Sequence, residues 1–152
     1  MNVGIAAARR KSAPPEGPVT GTRRALRAKG YAPLVLLVDD TEEAREMYAE
    51  YFVHQGFRVA QATDGEHALL KVLTLMPDLV VMDLAMPVLD GWEATHQIKA
   101  HAKTKHIPVI ALTGHVTPQD LRRAGDAGAD AVLGKPCTPE SLLQVVKRLL
   151  GH

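Results

Sequence analysis

Five residues of this 152-residue chain carry side chains that together could handle a phosphoryl group: Asp39, Asp40, Asp83, Thr113 and Lys135. Asp39 and Asp40 follow directly on the apolar run Leu34 to Val38. Adjacent carboxylates repel, and each raises the pKa of the other unless a cation joins them. Carboxylate oxygens are hard ligands, and Mg²⁺ takes one or two of them while keeping positions for water and phosphate oxygens. An aspartate can also act as a nucleophile and form an acyl phosphate. A loose phosphoryl transition state needs cations on its equatorial oxygens, a role open to a metal and to the Lys135 ammonium, while the Thr113 hydroxyl can donate to another oxygen. Taken singly, each residue has a plain structural reading: Asp39 and Asp40 as a helix cap, Asp83 as a strand-end cap, Lys135 as a solvated charge. Only their joint placement favours chemistry.

The elements that must position these residues follow from apolar periodicity. LVLLV (34 to 38), FRVAQA (57 to 62), DLVVMD (78 to 83), IPVIALT (107 to 113) and DAVLG (130 to 134) are expected strands, since near-continuous Val, Ile and Leu suits a strand covered on both faces. Amphipathic segments of helical length begin at Thr41, Asp64, Gly91, Thr117 and Thr138. Thr41 is expected to cap the first helix, with Glu42 and Glu43 in its opening turn. Gly56 and Gly128 stand where helices should stop, and Thr138 followed by Pro139 should open the last one. The spacing of Leu142, Val145, Val146 and Leu149 marks the expected buried face of that helix. Five strands, each followed by a helix, imply a parallel sheet with helices on both faces. Ligands bind such sheets outside the carboxyl ends of the strands. At that rim the first strand ends in Asp39 and Asp40, the third in Asp83 and the fourth in Thr113, and the fifth is followed by Lys135 and Pro136.

Composition bounds the rest. An apolar fraction of 46% and a charged fraction of 23% suit one ordinary folded domain, and no apolar run reaches the roughly 18 residues of a membrane span. A single cysteine, Cys137, forms no internal disulfide, and a reducing cytoplasmic setting is expected. The net charge of +1 conceals an uneven distribution, because residues 1–32 hold seven of the 18 basic residues and one of the 17 acids. This segment is rich in Pro, Gly, Ala and Arg and is expected to be a disordered basic tail. Such a tail could touch an anionic surface such as nucleic acid, although a solvated extension is the simpler expectation.

The segments VDDTEEAR, VVMDLAMPVLDGWE, IALTGH and GADAVLGKPCTPESLL together resemble the receiver domain of two-component response regulators, from about Leu34 to Leu150. The resemblance implies an α/β fold, a flavodoxin-like doubly wound (βα)5 unit with a five-stranded parallel sheet, occupying residues 33–150 after the tail. It implies that Asp83 is the phospho-acceptor, Asp40 a direct Mg²⁺ ligand, Asp39 a ligand acting mainly through water, and the Ala85 main-chain carbonyl a further ligand. Lys135 would neutralise the phosphoryl group, Thr113 would move toward it, the Lys135–Pro136 bond would be cis, and MPVLDG would form a tight turn. The pattern is departed from at two places: Val132 stands where an aromatic switch residue is usual, and Cys137 where a Phe is common. The chemistry is expected to survive these changes, whereas the aromatic read-out is not.

The function so implied is that of a single-domain response regulator. A sensor histidine kinase or a histidine phosphotransfer protein would supply the phosphoryl group to Asp83, and the surface formed by residues 117–150, with Arg122, Arg123 and Lys147, would meet a downstream protein. The protein would catalyse only its own phosphorylation and dephosphorylation, as a monomer or a phosphorylation-dependent dimer. The end of the sequence at His152 leads to the expectation that no output domain follows. A phosphorelay intermediate and a phosphorylation-independent scaffold are the alternatives. A phosphatase of the haloacid dehalogenase type would need an aspartate where Ala85 stands, and a flavin mononucleotide carrier would not place DDTEEA against a phosphate. Among the other residues, Gly114 leaves the corner after Thr113 open, His115 borders the site, and Trp92, Met82 and Met86 are expected in packing roles. His54, His67, His96, His101, His106 and His152 share no spacing of metal ligands.

Overall fold

The computed structural model describes residues 30–86 and 89–151. The basic tail up to residue 29, two residues of the MPVLDG turn and His152 lie outside the described residues. Strands β1 (Leu34–Val38), β2 (Arg58–Ala62), β3 (Leu79–Asp83), β4 (Val109–Thr113) and β5 (Ala131–Gly134) form one parallel sheet in the order β2-β1-β3-β4-β5. Helices α1 (Glu42–His54), α2 (Gly65–Leu75), α3 (Gly91–Ala100), α4 (Pro118–Ala127) and α5 (Pro139–Leu150) alternate with the strands. Among the described residues no helix is long and apolar enough to cross a membrane.

The central strands are apolar at successive positions because alternate side chains enter different cores. Leu36, Val38, Val80, Met82, Val109 and Ala111 pack with α2 and α3 residues such as Val72, Ala94 and Ile98. Val35, Leu37, Val81, Ile110 and Leu112 pack on the other face with Tyr48 and Phe52 of α1 and with Leu142 and Val146 of α5. The buried stripe of α5 is Leu142, Leu143, Val146 and Leu150, so the expected Val145 and Leu149 are only half-buried at its edge.

Several expected boundaries shift by one or two residues, for an identifiable reason. Asp78 and Asp130 stand just outside β3 and β5: their N–H groups donate to the Leu34 and Val109 carbonyls at 2.8 Å each, while their Oδ2 atoms, in place of main-chain carbonyls, accept the N–H groups of the same two residues at 2.7 and 2.8 Å. Lys99 Nζ lies 2.8 Å from Asp130 Oδ2, completing a staple at the amino rim of the sheet. Helices α2, α3, α4 and α5 open on Asp64, Asp90, Thr117 and Thr138, each accepting a backbone N–H of its first turn. Thr41 does not cap α1 through its side chain, contrary to expectation. Its own N–H donates to Asp39 Oδ1 at 2.8 Å, so a rim carboxylate closes the turn into that helix.

Two glycines let the segment after β3 fold back tightly. The N–H of Gly65, at the start of α2, donates to the Leu89 carbonyl at 3.1 Å, an approach that a side chain there would block. A Cβ at Gly91 would fall on the carbonyl oxygen of Asp83 and stand 2.7 Å from Leu84 Cα. Helix α3 can therefore start beside the end of β3 only from a residue without a side chain. Gly91→Ala is expected to destabilise the fold by about 2 kcal/mol, since backbone must move to admit the methyl group. An unchanged urea midpoint would show that this approach is not required.

Candidate functional site

Strand register brings the rim residues together. Val38 pairs with Met82, which sets Asp39 level with Asp83, the last residue of β3. Asp83 pairs with Leu112, so Thr113 follows one step beyond it, and Thr113 pairs with Gly134, immediately before Lys135. One ligand oxygen from each of Asp39, Asp40 and Asp83 lies within 4.8 Å of the others. Asp39 and Asp83 are buried and Asp40 is exposed, giving the cluster a closed floor and an open side.

Lys135 supplies the cation of this arrangement. Its Nζ is 3.0 Å from Asp83 Oδ1 and 4.0 Å from Asp39 Oδ2. With 37% of its side chain exposed, it reaches the buried pair while remaining open to an incoming group. Lys135 is aimed from the end of β5 by its own N–H, which donates to the Thr113 carbonyl at 2.7 Å, and the Lys135–Pro136 peptide that follows is cis. The N–H of Ala85 donates to Asp83 Oδ1 at 3.2 Å.

Thr113 ends its strand at this rim, but its hydroxyl is engaged elsewhere. Oγ1 donates to the His115 carbonyl at 3.0 Å and accepts the His115 N–H at 3.2 Å, closing a turn around the exposed Gly114. His115 takes part through its backbone, and its residue surface is exposed. Val132 is half-buried against the core beneath β5. Cys137 is also half-buried, and its carbonyl accepts the Tyr48 hydroxyl, which ties α1 to the loop after β5.

Charge is unbalanced in the cluster. Burial, first of all, pushes the Asp39 carboxyl above its ordinary pKa, with Asp83 and Asp40 adding to the rise and the Thr41 N–H and Lys135 opposing it. Three carboxylates against one ammonium leave two negative charges where water is partly excluded. An all-oxygen donor set with that excess fits a hard divalent cation such as Mg²⁺. Among the described residues this is the only group of three or more acidic, His or Cys side chains placed to share an ion, so the histidines form no competing site.

Two contributors went unread in the sequence. Gly91 controls how closely α3 meets Asp83. Arg45, on α1, donates from Nη1 to the Asp39 carbonyl at 2.8 Å and from Nε to Gln61 Oε1 at 2.9 Å. A signal for Arg45 was present: a cation in the first turn of a helix opposes the helix dipole. Trp92, the residue after Gly91, packs half-buried against the core, and the Arg123 guanidinium of α4 lies 4.5 Å over its ring.

A family model described as the response regulator receiver domain matches residues 35–147. A gliding motility regulatory protein of Myxococcus xanthus is 40% identical over 133 residues, which cover 87% of this chain and only 16% of that protein. The polar-differentiation response regulator DivK of Brucella anthropi is 29% identical over 77% of this chain and 95% of its own length. Among solved structures, the receiver domain of a sensor histidine kinase from Pseudomonas aeruginosa, with a magnesium ion coordinated in its active site cleft, superposes with a TM-score of 0.74 at 30% identity, covering 80% of this chain and all of that one.

The raised Asp39 carboxyl fixes the sign of a stability effect. A carboxyl whose pKa is higher folded than unfolded favours the fold while protonated, and that contribution is lost as pH rises from about 4 through the folded value. Ionisation of Asp39 therefore opposes folding of the metal-free protein. Asp39→Asn keeps an oxygen for the Thr41 N–H and removes the charge, so it should melt higher than wild type at pH 7 in chelator, with the gap closing toward pH 4. A lower melting temperature for Asp39→Asn at pH 7 would contradict this electrostatic account.

Proposed function

The chain belongs to the response regulator receiver domain family, and on that premise we propose that it is a signalling switch whose Asp83 accepts a phosphoryl group from a sensor histidine kinase or a histidine phosphotransfer protein. The observation that carries this reading is the 3.0 Å contact of Lys135 Nζ with Asp83 Oδ1 inside a cluster of three carboxylates. Asp39, Asp40 and Asp83, with the Ala85 main-chain carbonyl, would hold one Mg²⁺. Such an ion neutralises the carboxylates and the oxygens of an arriving phosphoryl group. The magnesium-bound receiver among the similar structures supports this choice of metal.

In the transfer an Asp83 carboxylate oxygen attacks phosphorus. The O–P bond forms as the P–N bond of the donor phosphohistidine breaks, and the electron pair leaves with the imidazole, which takes up a proton. Lys135 follows the charge from the carboxylate to the phosphoryl oxygens, already within reach and needing no large movement. Asp83 itself is 3% exposed and forms the floor of the cluster, so the phosphoryl group would be received on the open side beside Asp40. Thr113 must give up its bond to the His115 carbonyl to donate to the new phosphate, and that exchange pulls on the loop leading to α4.

The loop and the surface over residues 117–150, where Arg122, Arg123 and Lys147 are exposed, would carry the change to a downstream protein in the cytoplasm. An aliphatic, half-buried Val132 in place of a mobile ring favours a second reading, in which the phosphoryl group is passed onward to another phosphotransfer protein. Both readings begin with the same modification. Incubation with acetyl phosphate and Mg²⁺ should add one phosphoryl group to the intact mass, and Asp83→Asn or chelator should abolish the addition. No uptake by the wild-type protein under any donor would leave only a phosphorylation-independent binding role.

A further inference from the structure

The first turn of α1 carries a cation where the helix dipole is least favourable to one. Arg45 is the fourth residue of that helix, and helical side chains lean toward the N-terminus, so its guanidinium reaches back over the end of β1. Its Nη1–H donates to the main-chain carbonyl of Asp39 at 2.8 Å, and its Nε–H donates to Gln61 Oε1 at 2.9 Å. Gln61 is a firm anchor, because it lies in β2 and its own carbonyl accepts Lys71 Nζ at 2.6 Å. The N–H of Asp39 donates in turn to the carbonyl of Ala62 at 3.1 Å. Asp39 is thus held at both main-chain groups, by strand β2 on one side and by Arg45 on the other. The carbonyl of Asp39 shares a rigid peptide plane with the nitrogen of Asp40, so fixing it also fixes the direction in which Asp40 leaves the strand.

We propose that Arg45 is a positioning residue for the divalent cation: braced on Gln61, it locks the Asp39–Asp40 peptide plane so that both carboxylates face one point, and it sets cation affinity without touching the cation. The inference rests on the Mg²⁺ reading of the site given above. Charge and position make opposite demands here. As a charge, a guanidinium near a dication repels it, and removing Arg45 would tighten binding. As a brace, its removal loosens the aim of the ligands, and binding weakens. Outer groups that orient metal ligands typically change affinity 10–100-fold when lost.

The test is calorimetric titration of Mg²⁺ into the full chain, with circular dichroism confirming that each variant is folded at the working temperature. Wild type is compared with Arg45→Gln, Arg45→Lys, Gln61→Leu and Asp40→Asn. Arg45→Gln should bind Mg²⁺ at least about tenfold more weakly. Arg45→Lys should be similarly weak, because an ammonium keeps the charge but lacks the fork that spans two oxygens. Gln61→Leu, which leaves Arg45 in place without its brace, should show a smaller loss in the same direction. Should Arg45→Gln fail to fold, Gln61→Leu and Arg45→Lys still decide the matter. Unchanged or tighter binding in the Arg45 variants, wild-type affinity in Arg45→Lys, or a lowered melting temperature with unaltered affinity would each overturn the positioning role and leave the cation site standing. Wild type that binds no Mg²⁺, or is indifferent to Asp40→Asn, would instead overturn the cation site itself.

Discussion

Three carboxylates held within 4.8 Å of one another are the constraint around which this molecule is arranged. Like charges at that distance repel, and exclusion of water increases the repulsion. They remain together because a parallel sheet in a fixed register gives them no alternative: sliding β1 against β3 by one residue would turn Val35, Leu36, Leu37 and Val38 toward the wrong cores. Hydrophobic packing thus does work against electrostatics at the carboxyl rim. Lys135 offsets part of the opposition, and two negative charges remain for a cation to neutralise.

The opposite rim of the same sheet shows what carboxylates do when stability alone is served. Asp78 and Asp130 each accept a strand N–H, and Asp130 is also paired with Lys99. Both of these carboxylates have a local donor. At the carboxyl rim Asp39 and Asp83 also accept one N–H each and Asp83 is paired with Lys135, but a third carboxylate, exposed Asp40, joins them and takes no hydrogen bond among the described residues. The two ends of the parallel sheet thus differ in how their carboxylates are placed: apart and paired at the amino rim, clustered at the carboxyl rim, where ligands of such sheets bind.

Much of this was readable in the sequence because strands buried on both faces must be apolar almost throughout, and the first polar residue beyond such a run marks the rim. That reasoning located Asp39, Asp83 and Thr113 at strand ends and gave the sheet its parallel, doubly covered form. It extends β3 and β5 by one residue, to Asp78 and Asp130, because these residues do bond to the neighbouring strand, half through the main chain and half through the carboxylate, a substitution that periodicity cannot show. Residue type alone points to Thr41 as a cap, but its hydroxyl makes no capping bond, and it is the Thr41 N–H that is engaged, by the Asp39 carboxylate two residues earlier. In α5 the expected Leu142 and Val146 are buried, while Leu143 and Leu150 take the places expected for Val145 and Leu149, which are equally apolar and so indistinguishable by residue type. The role of Arg45 is not legible from its charge, because it depends on the side chain reaching back to the ends of β1 and β2, a contact between elements distant in sequence.

The stack of Arg123 on Trp92 joins α4 to the start of α3, one residue from the glycine that abuts Asp83. Trp92 is the only tryptophan in the chain. Indole emission responds to a cation lying over the ring, so the protein carries an intrinsic optical gauge of the spacing between these helices. Displacement of α4 would register as a change in colour or brightness without any attached dye.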